Sequence, residues 1–197
     1  GGEPPPLPPA PPPAGGADNL TPTAQDPYGN TATAYTGSHS ITFSGALAGP
    51  SGTVPTIDDS SGAAIPFGTA TALEFSEGVA AVSASNNGEM RLYKAATTSI
   101  TASDGTIAGS ALSVVVSAAT AAKFTLVAAP TTLAAGGSSN LTTTALDPYG
   151  NTATTYTGSH NVTFSGAATS PAGTAPTVVN AAGTAIPFGS ATALTFT

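Results

Sequence analysis

Two histidines, His39 and His160, are the only imidazoles in this 197-residue chain, which has no cysteine. Each closes the same word, YTGSH, and a Ser-His-Asp relay around the first would recruit Ser38 or Ser44 with Asp26. Such a relay also needs a strained nucleophile turn and an oxyanion hole. No motif here supplies either. His39 instead falls in line with Ile41 and Phe43 at a strand end, the place of a packed, hydrogen-bonded rim residue. One histidine per copy is too few for zinc. Calcium takes about six to eight oxygens, usually several from carboxylates. Asp26, Asp58, Asp59 and Asp147 are weak calcium candidates. Val179 and Asn180 stand where a second Asp58-Asp59 pair would be, and Asp26 and Asp147 each bring a single carboxylate. Tyr28, Tyr35, Tyr149 and Tyr156, with Tyr93, are candidate ligand contacts, because exposed tyrosines can stack on sugar. Strand aromatics more often seal a core edge. No acid pair recurs in both copies, and no Gly-rich phosphate loop opens a helix. The expectation is therefore no catalytic residue, no resident metal and no cofactor.

The elements that must position these side chains are set by a repeat. DPYGNTATAYTGSHSITFSG runs from Asp26 to Gly45 and returns as DPYGNTATTYTGSHNVTFSG from Asp147 to Gly166, 121 residues later. Between Asn19–Ser76 and Asn140–Thr197, 39 of 58 positions are identical without a gap. So long a period marks a tandem of whole domains rather than a short solenoid repeat.

Alternation predicts strands. His39, Ile41 and Phe43 share a face opposite Ser40, Thr42 and Ser44, and His160, Val162 and Phe164 repeat it. An apolar-in, hydroxyl-out strand suits a half-buried antiparallel sheet. Leu20, Pro22 and Ala24 mark a strand over 19–25, with Leu141, Thr143 and Ala145 in the second copy. Pro22 lacks a donor, which places that strand at an edge or a bulge. Asp26–Asn30 reads as a turn, because Asp caps its own backbone and Gly29 accepts positive φ. Further strands are expected over 31–35, 79–84, 90–95, 98–103, 111–117 and 123–127, with 45–64 loop-like and the apolar groups 65–67 and 73–75 after it. Asp104-Gly105 is a hairpin signal. Nothing sustains a helical period, so the fold class is all-β with sandwich character.

Composition narrows the function. Net charge is −7, and the only cations are Arg91, Lys94 and Lys123. That cannot supply the basic footprint of a nucleic-acid binder or dock on an anionic membrane. Charged residues are 7% and apolar residues 40%, so solubility rests on Thr, Ser, Asn and Gly, a surface suited to an extracellular life and to glycosylation. Asn19, Asn140 and Asn161 lie in N-x-Thr sequons, at chance frequency for a Thr-rich chain. No run approaches the ~20 apolar residues of a membrane-spanning helix. With no signal peptide and no initiator Met, the chain reads as a mature form or a fragment.

Eight of the ten residues from Pro4 to Pro13 are proline, which favours polyproline II. Residues 1–18 form that segment, 19–118 the first repeat, 119–122 a joint and 123–197 the second repeat. By the 121-residue offset, residues 2–18 occupy the place of 123–139, where the opening strand 123–127 belongs. Equivalents of 79–117 are missing from the second repeat.

The succession DPYGNT, YTGSH, TFSG, PFGTAT, EGVA, NGEMRLYKA and SITASDGTI resembles the bacterial immunoglobulin-like repeats of large secreted and cell-surface, adhesin-like proteins. The likeness spans Asn19–Thr197. It implies immunoglobulin-like Greek-key β-sandwich repeats used as a stalk, spacer or adhesive array, with no catalytic set to carry over. The expected function is a non-enzymatic extracellular structural protein that self-associates into a filament or tandem array, with strands completed between subunits. The alternative is an adhesin module that binds glycan or a cell-surface protein through loop tyrosines.

Overall fold

The computed structural model describes residues 10–197. Pro4, Pro5, Pro6, Pro8 and Pro9 of the expected polyproline run lie outside them. Every regular element among the described residues is a β-strand, and no helix is long and apolar enough to cross a membrane. The chain divides into two compact units, Gly1–Ala119 with Leu146–Asn151, and Thr120–Ala145 with Thr152–Thr197.

The first unit holds β1 (Ala17–Asn19), β2 (Gly37–Ser44), β3 (Thr56–Asp58), β4 (Ala64–Pro66), β5 (Ala70–Phe75), β6 (Glu89–Arg91), β7 (Ala96–Ser103) and β8 (Leu112–Val116). They form two antiparallel sheets, ordered β5-β2-β7-β8 and β1-β6-β3-β4. Ile41, Phe43, Leu73, Phe75, Ile100, Val114 and Val116 from the first sheet share one buried cluster with Ile57 and Met90 from the second. This is a sandwich-like arrangement: each strand turns alternate side chains inward, and each such side chain contributes roughly 1.5–3 kcal/mol on burial. Phe43 is fully buried and Phe164 nearly so, as the alternation around both histidines predicts. Leu112, the first residue of β8, is 46% exposed, whereas Val114 and Val116 on the same face are buried.

Several strand expectations need correction. Residues 19–25 make only isolated bridges at Thr23 and Gln25 beyond β1, whereas the second copy forms a continuous strand, β10 (Asn140–Leu146). β10 pairs with the strand Lys123–Ala129, whereas β1 pairs with β6, and Pro22, in place of Thr143, offers no N–H to a ladder. Residues 31–35 are a turn, closed by Tyr35 N–H to Ala32 O at 2.9 Å. Residues 79–84 are irregular, ending in positive φ at Ala84 and Ser85. The stretch 45–64, expected as loop, contains β3 and the start of β4.

Part of the Pro-rich segment packs on its own unit. Pro13 bridges Ser117 in parallel, Ser117 N–H donates to Pro12 O at 3.0 Å, and Gly15 N–H to Leu92 O at 2.8 Å. Ala14 enters the core at 4% exposure. Prolines accept hydrogen bonds along such an edge without offering donors outward.

The second unit contains β9 (Lys123–Ala129), most of β10, β11 (Gly158–Thr163), β12 (Thr177–Val179), β13 (Ala185–Pro187) and β14 (Ala191–Phe196). Its pairings repeat the first unit's in register. Gly158↔Phe196 to Thr163↔Ala191 matches Gly37↔Phe75 to Thr42↔Ala70. Thr177↔Pro187 matches Thr56↔Pro66. Val178 and Leu194 are half-buried, where Ile57 and Leu73 are fully buried. Leu126, Val127, Leu141 and Val179 are exposed.

Candidate functional site

A polar arrangement that recurs in both copies is built on the Asp-Pro-Tyr-Gly-Asn turn. In the first copy Asp26 Oδ1 accepts the N–H groups of Tyr28 and Asn30, each at 2.9 Å, and Asp26 Oδ2 accepts Asn30 Nδ2 at 2.9 Å. In the second, Asp147 Oδ1 accepts Tyr149 and Asn151 N–H at 2.9 Å, and Oδ2 accepts Asn151 Nδ2 at 2.8 Å. Short-range carboxylate-to-backbone bonds of this kind preorganise a turn. Gly29 and Gly150, at φ +86 and +89, take the left-handed position that a Cβ would strain.

The two turns differ in surroundings. Leu146–Asn151 is part of the first compact unit. There Asn151 Nδ2 donates to Tyr93 O at 2.9 Å and Asn151 Oδ1 accepts Ala95 N–H at 2.9 Å. Asp147 Oδ2 also accepts Ala119 N–H at 3.0 Å, and Tyr149 O accepts Ser51 N–H at 2.8 Å. The Tyr93 and Tyr149 rings lie 4.8 Å apart. Asp147 is fully buried and Asn151 5% exposed, whereas Asn30 is exposed. Burial alone would push the Asp147 carboxyl up. The hydrogen bonds from Asn151 and from the Ala119 and Tyr149 N–H groups outweigh it and hold the group below its ordinary value. Asp26 is also held low, chiefly by the Asn30 side chain.

The histidines are packed in aromatic stacks. Tyr35 and His39 stack at 3.7 Å with Phe75 edge-on to Tyr35 at 4.9 Å. Tyr156 and His160 stack at 3.9 Å with Phe196 at 4.9 Å, joined by Phe124 at 5.7 Å from Tyr156. His39 Nε2 lies 3.1 Å from Thr36 O and His160 Nε2 3.0 Å from Thr157 O. A carbonyl only accepts, so that nitrogen donates. Ser44 Oγ pairs with Thr101 Oγ1 at 2.7 Å, and the Asp26 carboxylate serves its own turn. Ser44 and Asp26 are thus engaged with partners other than His39. Tyr35 OH donates to Asp104 Oδ2 at 2.8 Å. Burial, and then the Asp104 carboxylate, push the Tyr35 hydroxyl up to about 12. Hydrogen bonds from the Ile107 and Thr106 N–H groups hold Asp104 low.

Of the remaining acids, Asp59 Oδ1 caps a turn, accepting Ser61 and Ala63 N–H at 2.8 and 2.9 Å. Asp58 is pushed up, first by burial and then by Glu89. Among the described residues no group of three or more His, Cys, Asp or Glu could hold a metal ion. Tyr28 is 90% exposed at its turn tip, while Tyr35, Tyr149 and Tyr156 are half-buried. A pocket of about 80 Å3 lies against Tyr35, Ile41, Phe75, Asp104 and Ile107. That is well below the roughly 300 Å3 of a small-molecule site.

Two polar centres were not foreseen. Asn87, 8% exposed, accepts Glu74 N–H at 2.7 Å and donates to Glu74 O and Ala81 O at 2.9 and 3.1 Å. Buried Glu89 pairs with Arg91. The partners of Asn87 and Asn151 are backbone groups, which carry no residue-type signature. The recurrence of Asn30 as Asn151 was the one available signal. No family model, curated protein or solved structure matches the chain.

Proposed function

We propose that this chain is a non-enzymatic extracellular structural protein, in which immunoglobulin-like Greek-key sandwiches are set in tandem to build a cell-surface stalk or filament. The observation that carries the reading is the exact-offset recurrence of the β2–β5 pairing as β11–β14. What repeats is register, core and turn, which maintain shape and spacing. His39 stacks on Tyr35 and Asp26 caps its own turn. In this reading neighbouring chains complete one another's sheets by strand addition. The exposed Leu126, Val127, Leu141 and Val179 would then be covered by strands of an adjoining copy. Electron microscopy of the native material tests the proposal: fibres with a regular repeat are expected, and uniformly dispersed single particles would refute it.

A second reading, an adhesin module, is favoured by one feature, the nearly full exposure of Tyr28. On a glycan array this reading predicts binding that is lost in Tyr28→Ala. Tyr149→Ala serves as a companion, although Tyr149 also supports Tyr93. An array with no ligand for the wild-type chain leaves the spacer reading alone.

A further inference from the structure

We propose that the exposed Asp26–Asn30 turn is a docking plug for a further repeat of this kind, gripping a backbone carbonyl, two backbone N–H groups and a tyrosine ring as the Asp147–Asn151 turn grips Tyr93, Ala95 and Ala119. The two turns have the same five residues, and their internal hydrogen bonds agree closely. Asp26 N–H reaches Asn30 O at 2.8 Å and Asp147 N–H reaches Asn151 O at 2.9 Å. The plug is therefore preformed in both copies, and docking it requires little ordering.

The seat reads backbone. Tyr93 O, Ala95 N and Ala119 N are main-chain groups, so a repeat with the same fold presents them whatever its surface side chains. The turn's complement is equally complete at 26–30. Asp26 Oδ2 has one hydrogen bond among the described residues, from Asn30 Nδ2, which leaves it able to accept a partner's N–H as Asp147 does. Asn30 Oδ1 and the second Asn30 Nδ2 proton correspond to the groups that bind Ala95 and Tyr93 in the occupied seat. Tyr28, 90% exposed, is the counterpart of Tyr149, which lies against Tyr93. The partner is accordingly a repeat with an open edge equivalent to Tyr93–Ala95. The inference goes beyond the stalk reading and does not require fibres.

In this chain the seat is filled by its own second turn, which makes a clean experiment available. The full chain carrying Asp147→Ala and Asn151→Ala, isotopically labelled, offers an emptied seat. The unlabelled wild-type chain, its own seat occupied, offers the Asp26–Asn30 plug. Titration should move the Ala95 and Ala119 amide resonances saturably, with a Kd on the order of millimolar. Asn30→Ala in the unlabelled chain should weaken this about tenfold or more. Unmoved Ala95 and Ala119 amides, or shifts equal with wild type and Asn30→Ala, would overturn the proposal. If the double variant loses amide dispersion, Asn151→Ala alone is titrated with the Ala95 amide as the readout, because Ala119 N–H stays bound to Asp147; an unmoved Ala95 amide, or a shift equal with wild type and Asn30→Ala, overturns the proposal.

Discussion

Asn151 Nδ2 donates to the Tyr93 carbonyl at 2.9 Å across 58 positions of sequence, whereas Asn30, its equivalent 121 residues earlier, is exposed. One residue type in one local geometry thus holds two different stations. The same amide that only steadies a turn in the first copy also ties two distant stretches together in the second.

That contrast sets the first prediction. Asn151→Ala strands Ala95 N–H and Tyr93 O in a partly buried place, which should cost about 2–4 kcal/mol. Asn30→Ala leaves its neighbours open to water and should cost no more than about 1 kcal/mol. Denaturant titration followed at the Phe43 amide, a probe of the first unit, checks the difference. Equal effects would mean that the Asn151 bonds contribute nothing net.

Asp147 makes the stability acid-sensitive. Its carboxyl lies below the ordinary 3.8 in the folded chain. The unfolded state therefore binds its proton more readily, and stability rises with pH across that interval. The contribution is complete above 3.8 and is lost as pH falls through the lower folded value. Stability of wild type minus that of Asp147→Asn, measured from about pH 6 down to about pH 2, should be level at first and then shrink. A difference that grows on acidification would contradict the assignment.

Tyr35 should ionise late. Its hydroxyl is raised from 10.0 to about 12, so the folded state holds the proton more tightly. The associated stability is complete below 10.0 and is lost as pH rises through about 12. Ultraviolet titration of phenolate should show a late step that disappears in Tyr35→Phe. Asp104→Asn should move that step toward lower pH, because the negative charge is gone.

Asn87→Ala should be among the most damaging single changes. It removes three hydrogen bonds to backbone and leaves alanine at φ +62. The expected loss is about 3 kcal/mol or more, read at the Phe43 amide. Asn87→Gly relieves the backbone strain but not the lost bonds, so it should recover only a part.

Two-residue alternation was enough to place the cores around Phe43 and Phe164, because a side chain's face on a strand is a local property. The turn chemistry of Asp26–Asn30 and Asp147–Asn151 was equally legible, since each carboxylate caps backbone within four residues. That the described residues hold strands and no helix was also legible in local pattern, and the 121-residue repeat was legible in the sequence itself. Tertiary structure decided what lies beyond that range. It turned Pro13 against Ser117, split 19–25 at Pro22 while its counterpart paired through, and put Asn151 rather than Asn30 against Tyr93. These outcomes depend on backbone donors and acceptors meeting from far along the chain. Every residue but proline carries the same two groups, so residue identities do not announce such meetings.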